Sequence, residues 1–244
     1  MDLTFTKMHG IGNDFVVVED LAKIWDLSPD AVAWLCDRHY GVGADGVILV
    51  RRSERSDADF FMLYYNADGS VAEMCGNGIR CFAKYLVDHD LVAPSVTDLV
   101  IDTLGGPKLV SLTHDGDGLL ETATVDMGEP VLAAAAIPAD FGTDTVLDAP
   151  LVTELGDITV TAVGMGNPHA IIWVDDVDEA PVTSLGSVVE VHERFPRHTN
   201  VEFVQVLGPD RVRMRVWERG VGETLACGTG ACAVVVACAL TGRT

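Results

Sequence analysis

Two cysteines in this chain stand in the same chemical setting. Cys75 lies in Glu73-Met74-Cys75-Gly76-Asn77-Gly78-Ile79-Arg80-Cys81, and Cys227 in Glu223-Thr224-Leu225-Ala226-Cys227-Gly228-Thr229-Gly230. Each Cys-Gly-x-Gly follows a β-rich run and a glycine turn and opens an apolar stretch that reads as a helix. A thiol is thereby placed at a helix N-terminus, beside backbone N–H groups that glycine leaves uncovered. Such an end carries partial positive charge, which stabilises a thiolate and lowers the thiol pKa. It also binds carboxylates. Two thiols sharing one site titrate as a coupled pair, one thiolate and one thiol. Stereoinversion at carbon requires that pairing: one group removes a proton and the other delivers one to the opposite face. The α-proton of an amino acid is only weakly acidic, so helix ends aimed at its carboxylate would stabilise the carbanion. Lysine occurs only as Lys7, Lys23, Lys84 and Lys108. None lies where a Schiff base would be expected, so the reading needs no cofactor.

Other signals keep plainer readings. Cys36, Cys81, Cys232 and Cys238 read as core thiols. Their spacing from Cys75 and Cys227 lacks the Cys-x-x-Cys of zinc or redox sites, so no metal is expected. Gly41-x-Gly43-x-x-Gly46 spells a dinucleotide fingerprint but precedes a strand instead of opening a helix. Asp115-Gly116-Asp117-Gly118 reads as a hairpin turn, too short for a calcium loop. A Cys75–Cys227 disulfide formed under oxidation would inactivate, because it removes both proton carriers.

At 244 residues with 48% hydrophobic content, the chain can bury a sizeable core. A formal charge of −21 argues against nucleic acid and against anionic membrane surfaces as partners. No basic-then-apolar leader is seen, and the apolar run from Ala231 to Leu240 is too short to span a bilayer. Six cysteines without a dense framework fit a reducing, cytoplasmic setting.

The elements that must position the thiols form a hidden repeat. Strands are expected over 3–7, 14–19, 47–51, 60–65, 99–103, 107–113, 119–127, 158–163, 170–174, 201–207 and 211–217. Ser28-Pro29-Asp30 caps a helix to about Arg38, and a second helix covers 76–87. Cys227 lies 152 residues after Cys75, and at that offset Asn66 meets Glu218 and Gly76 meets Gly228. Gly12-Asn13-Asp14-Phe15 similarly parallels Gly166-Asn167-Pro168-His169, and the loop before residue 47 parallels the one carrying Asn200. Asn13, Asn66, Asn167 and Asn200 share strand-end positions, which makes them site candidates. The expected fold is α+β, with two pseudo-symmetric halves, each a mostly antiparallel sheet wrapped around a central helix. The active site is expected in the cleft between them. The halves are drawn as 1–117, carrying Cys75, and 118–244, carrying Cys227, with 128–150 as the crossover. Strands follow the first cysteine helix but not the second, so the second half is expected to lack its closing strands.

Taken as a set, Met8-His9-Gly10-Ile11-Gly12-Asn13-Asp14-Phe15, Asn66-Ala67-Asp68-Gly69-Ser70, both cysteine motifs, Gly166-Asn167-Pro168-His169 and Glu218-Arg219-Gly220-Val221-Gly222 resemble the diaminopimelate epimerase family, from Met8 to about Ala239. The resemblance implies a cofactor-independent epimerase interconverting LL- and meso-diaminopimelate on the route to lysine and peptidoglycan, and a homodimer. It implies Cys75 and Cys227 as the acid–base pair. Substrate contacts are implied at Asn13, Asn66, Gly76, Asn77, Asn167, Asn200, Glu218, Arg219, Gly228 and Thr229, with His169 and Glu218 tuning the cysteines. Many members carry glutamine where this chain has Gly46. The rival readings are a related two-cysteine racemase, such as a proline racemase, and a non-catalytic amino-acid-binding or thiol-redox protein.

Overall fold

The computed structural model describes residues 2–244, which divide into two compact units after Asp126. The first unit runs β1 (Thr6–Gly10), β2 (Asn13–Glu19), α1 (Pro29–Cys36), β3 (Gly46–Arg52), β4 (Phe60–Asn66), β5 (Val71–Ala72), α2 (Gly76–Asp88), β6 (Asp98–Thr103), β7 (Lys108–His114) and β8 (Leu120–Val125). Its sheet has the order β1-β2-β3-β4-β6-β7-β8, with β5 also on β4. Only β2/β3 and β4/β6 pair in parallel. Parallel neighbours need a crossover, and α1 and α2 supply the two crossovers. The central strands are apolar on both faces, as strands covered on both sides must be. Phe15, Val17, Ile48, Val50, Met62 and Tyr64 bury against Ile79, Phe82 and Leu86 of α2. Val16, Val18, Val47, Leu49 and Leu63 turn the other way, onto Val32 and Leu35 of α1.

The second unit runs β9 (Ala149–Thr153), β10 (Gly156–Gly164), β11 (Pro168–Trp173), α3 (Val182–Glu190), β12 (Asn200–Gly208), β13 (Arg211–Glu218), β14 (Gly222–Thr224) and α4 (Gly228–Thr241). Its sheet order is β14-β13-β12-β11-β10-β9, parallel only at β11/β12, the pair that α3 connects. Val163, Ile171 and Val204 face Ala233, Val234 and Ala237 of α4, while Ala170, Ile172 and Phe203 face Val182, Leu185 and Val189 of α3.

The pairing sequence antiparallel, parallel, antiparallel, antiparallel occurs in β1–β5 and again in β10–β14. A helix follows the second and fifth strand each time, so the two-half α+β architecture is present. Registers make the repeat residue-specific. Phe15 pairs with Gly46 as His169 pairs with Asn200, which sets Ile48 equivalent to Glu202 and Asn66 to Glu218.

The division falls after residue 126 and not 117. Residues 115–118 are the turn of the β7/β8 hairpin, closed by the Gly118 N–H donating to the Asp115 carbonyl at 3.1 Å. A cut there would separate β8 from a partner it meets from Val110↔Val125 to His114↔Leu120. Four elements escape the sequence reading: the short strands β5 and β14, and β9 and α3. Strand β9 begins in the stretch read as a crossover and carries Pro150, which a sheet edge tolerates. Helix α3 lacks a side-chain cap and contains Gly186. That glycine is required by space, because a Cβ there would stand 2.7 Å from the Trp217 Cβ.

Candidate active site

Each cysteine is the N-cap of the central helix of its unit. Cys75 precedes α2 with φ −139° and ψ 117°, and its Sγ accepts the Gly78 N–H at 3.3 Å. Cys227 precedes α4 with φ −116° and ψ 118°, and its Sγ accepts the Gly230 N–H at 3.4 Å. A sulfur here does what a Ser or Asp oxygen does at an ordinary cap, satisfying the third helical amide. The first two amides, those of Gly76 and Asn77 or of Gly228 and Thr229, also lack carbonyl partners within their helix.

Near Cys75 the polar groups sit at strand ends. Ile11 and Gly12 form the two-residue β1/β2 turn with φ of 54° and 78°, the backbone of a primed hairpin turn. Asn13 follows, and its Oδ1 is buried with no hydrogen-bond partner among the described residues. The next residue anchors the turn. Arg38 Nη2 reaches Asp14 Oδ1 and Asp45 Oδ1, each at 2.7 Å, and Lys7 Nζ reaches Asp14 Oδ2 at 2.6 Å. Burial would raise the Asp14 pKa, but the hydrogen bonds from Arg38 and Lys7 win and hold it well below the usual carboxylate range. Asn66, opposite Gly46, donates from Nδ2 to Ser70 Oγ at 3.0 Å. No side chain fits at position 46, because a Cβ would lie 2.5 Å from the Tyr64 ring. A glutamine at this position is therefore excluded by the Tyr64 ring and by the Tyr65 carbonyl, which is equally close.

The second half is more charged. His169 and Glu202 are both fully buried, with His169 Nδ1 2.6 Å from Glu202 Oε1. His169 Nε2 lies 2.8 Å from Asn167 Oδ1. Asn200 ties two loops together: its Nδ2 donates to the Pro168 carbonyl at 2.8 Å, and its Oδ1 accepts the Arg219 N–H at 3.0 Å. Glu218 Oε1 accepts from the Thr224 hydroxyl at 2.5 Å, and its carboxyl group faces Cys227. The Cys227 sulfur lies 3.3 Å from Thr229 Oγ1. Arg219 donates from Nη1 to the Arg197 carbonyl at 3.3 Å. Asn200→Ala is expected to leave that carbonyl of Pro168 and that N–H of Arg219 unpartnered, costing about 1–3 kcal/mol in denaturant unfolding and raising KM.

The thiol pKa differs from the sequence expectation at Cys227. Burial, then the charges of Glu218 and Glu202, push it well above its ordinary 9.0. The Thr229 hydroxyl and the Gly230 amide pull down and lose, so the helix end does not produce a resting thiolate here. Glu218 is itself raised above its ordinary 4.5, by burial first and by the Glu202 charge, against the Thr224 hydrogen bond. A raised folded pKa gives stability that is complete below the unfolded pKa and is lost as pH rises through the folded value. Glu218→Gln is therefore expected to match the parent in melting temperature near about pH 4 and to exceed it at neutral pH, while losing turnover.

One nitrogen of His169, one oxygen of Glu202 and Cys227 Sγ lie within 4.8 Å of one another, a grouping that invites a metal reading. Zinc bonds of about 2.0–2.3 Å hold tetrahedral ligand atoms roughly 3.3–3.8 Å apart. The 2.6 Å between Nδ1 and Oε1 is instead that of a hydrogen-bonded pair. Sequence reasoning missed Glu202 and Thr224. The signal for the first is a lone carboxylate inside the apolar run Val201-Glu202-Phe203-Val204.

The fold is that of a hydroxyproline epimerase from Agrobacterium vitis, at TM-score 0.73 and 16% identity over 98% of this chain and 77% of that one. It is also that of a PhzF-family phenazine biosynthesis protein from Bacillus anthracis, at TM-score 0.62 and 17% identity over 97% of this chain and 78% of that one. These likenesses define the fold. Sequence goes further. The profile described as "Diaminopimelate epimerase" matches residues 5–133 and 161–244. Relatives of that name from Alkalilimnicola ehrlichii and Synechocystis sp. are 50% and 49% identical, covering 99% and 100% of this chain and 85% of each relative. The chain belongs to the diaminopimelate epimerase family and is an isomerase.

Proposed function

We propose that the chain interconverts LL- and meso-diaminopimelate by two-base proton transfer, with Cys75 and Cys227 as the two bases and no cofactor. The observation that carries this reading is the thiol N-cap built twice, at the start of each central helix, in a member of this family. One thiolate takes the α-proton while the other thiol returns a proton to the opposite face. Burial of Cys227 beside two carboxyl groups supports a reading in which Cys227 holds the resting proton. The complementary role falls to Cys75. The sulfur uses the third amide of each helix, and Gly76, Asn77, Gly228 and Thr229, at the first two positions of each helix, are the proposed contacts to the substrate carboxylate, where developing charge gathers. The unpartnered Oδ1 of Asn13 supports a contact to a substrate ammonium group. Asn66, Asn167, Asn200, Glu218 and Arg219 complete the proposed contacts, and His169 and Glu218 adjust the Cys227 side. Among the described residues no helix is long and apolar enough to cross a membrane. A cytoplasmic homodimer belongs to the same proposal, and sedimentation tests the dimer.

The test is incubation of the reduced protein with LL-diaminopimelate in heavy water. Deuterium at the α-carbon and appearance of the meso isomer are expected together. Binding without α-deuteration would instead make this an amino-acid-binding or redox protein.

A further inference from the structure

We propose that Glu202 is a positioning residue of the Cys227 half-site: with His169 it makes two otherwise equivalent capping thiols unequal. The inference rests on the reading of Cys227 as an acid–base residue. The repeat supplies the comparison. In the first unit the register positions equivalent to His169 and Glu202 are Phe15 and Ile48, an apolar pair buried against α2. Ile48 touches the start of that helix: a Cβ on Gly78 would stand 3.2 Å from Ile48 Cδ1. Glu202 takes the same place in the second unit, where a Cβ on Gly230 would stand 2.6 Å from Glu202 Oε1. Evolution of the repeat has thus set a carboxylate and an imidazole where the other half has two hydrocarbons.

That exchange is costly. Glu202 is 0% exposed, and a buried carboxylate is tolerated only when its oxygens are engaged. One oxygen is engaged, at 2.6 Å from His169 Nδ1. The other, Oε2, has no partner among the described residues. The contacts of Nδ1 with Glu202 and of Nε2 with Asn167 Oδ1 hold the ring in one orientation. The positive end of α4 partly offsets the charge. The groups facing Cys227 are Glu218 on β13, Glu202 on β12 and His169 on β11, with the Thr229 hydroxyl and Gly230 amide of its own helix. Both carboxyl groups disfavour the thiolate. In this arrangement Glu202 keeps the proton on Cys227 between turnovers and holds His169 in one orientation.

The experiment uses the reduced full chain. Iodoacetamide labelling of the Cys227 and Cys75 peptides is followed by mass against pH, alongside kcat and KM for the LL-to-meso direction. In Glu202→Gln, which keeps size and removes charge, the Cys227 labelling midpoint is expected to move to lower pH while that of Cys75 stays. Turnover should fall at least about tenfold with KM nearly unchanged. Glu202→Asp retains the charge, so its Cys227 midpoint should stay near the parent even as kcat falls. The proposal is overturned if the Gln variant superimposes on the parent in labelling and pH–rate profile, or if Asp shifts the midpoint as far as Gln. A poorly folded Gln variant leaves the Asp variant to decide. If the parent itself does not epimerise, the functional reading fails, while the labelling midpoints still judge the role of Glu202.

Discussion

Cys75→Ala and Cys227→Ala are each expected to lose epimerisation by about 10³-fold or more, together with α-deuterium incorporation. Alanine offers neither a base nor a proton donor, and in the proposed mechanism each reaction direction uses both groups. The structural cost is smaller and separable. Alanine at an N-cap forfeits the bond to the third helical amide, worth about 1 kcal/mol. Melting curves should therefore shift by a few degrees while turnover vanishes. Chiral chromatography of the products and proton NMR of the α-carbon read the two losses independently. Turnover within tenfold of the parent in either variant would reject the two-base mechanism.

The next largest effect is expected at a glycine. Gly230→Ala would place a Cβ 2.6 Å from Glu202 Oε1 and 3.3 Å from the Cys227 sulfur. That oxygen cannot retreat, because His169 holds it in a fully buried site. Either the α4 start or the His169–Glu202 pair must move, so activity should fall below about 1% and stability by about 1–3 kcal/mol. Gly78→Ala meets the terminal methyl of Ile48 at 3.2 Å instead. A methyl on a rotatable arm gives way, so this variant should keep measurable turnover. Denaturant titration and steady-state kinetics on the pair check the contrast; equal losses would mean that the carboxylate is not the rigid neighbour.

What could be read from the chain alone was what local chemistry dictates. Ser28-Pro29 starts α1 as expected, with the Ser28 hydroxyl accepting the Ala31 N–H at 3.3 Å. The thiol caps were visible because Cys-Gly-x-Gly has few other uses before an apolar run. The pairing of Asn66 with Glu218 across the repeat also stands, since both lie opposite the strand end held by Gly46 or Asn200. Helix α3 was not legible, because it begins without a cap and carries a glycine demanded by Trp217 from another element. The direction of the Cys227 pKa was not legible either. Helix-end charge is a local property, whereas burial and the two carboxylates arrive through β12 and β13. Glu202 lies inside the expected strand over 201–207, and only the sheet register and the packing of α4 bring it beside Gly230.

A cap made of sulfur ties the first turn of a helix to the whereabouts of a proton. Thiolate sulfur accepts an amide hydrogen more strongly than thiol sulfur does, because hydrogen bonds to charged acceptors are the strong ones. Each turnover would then tighten the start of one helix and slacken the start of the other, so that two ordinary backbone groups, the amides of Gly78 and Gly230, act as resident gauges. Their nitrogen chemical shifts should move in opposite directions as the proton changes hands, recording from within the backbone which substrate face the enzyme last served.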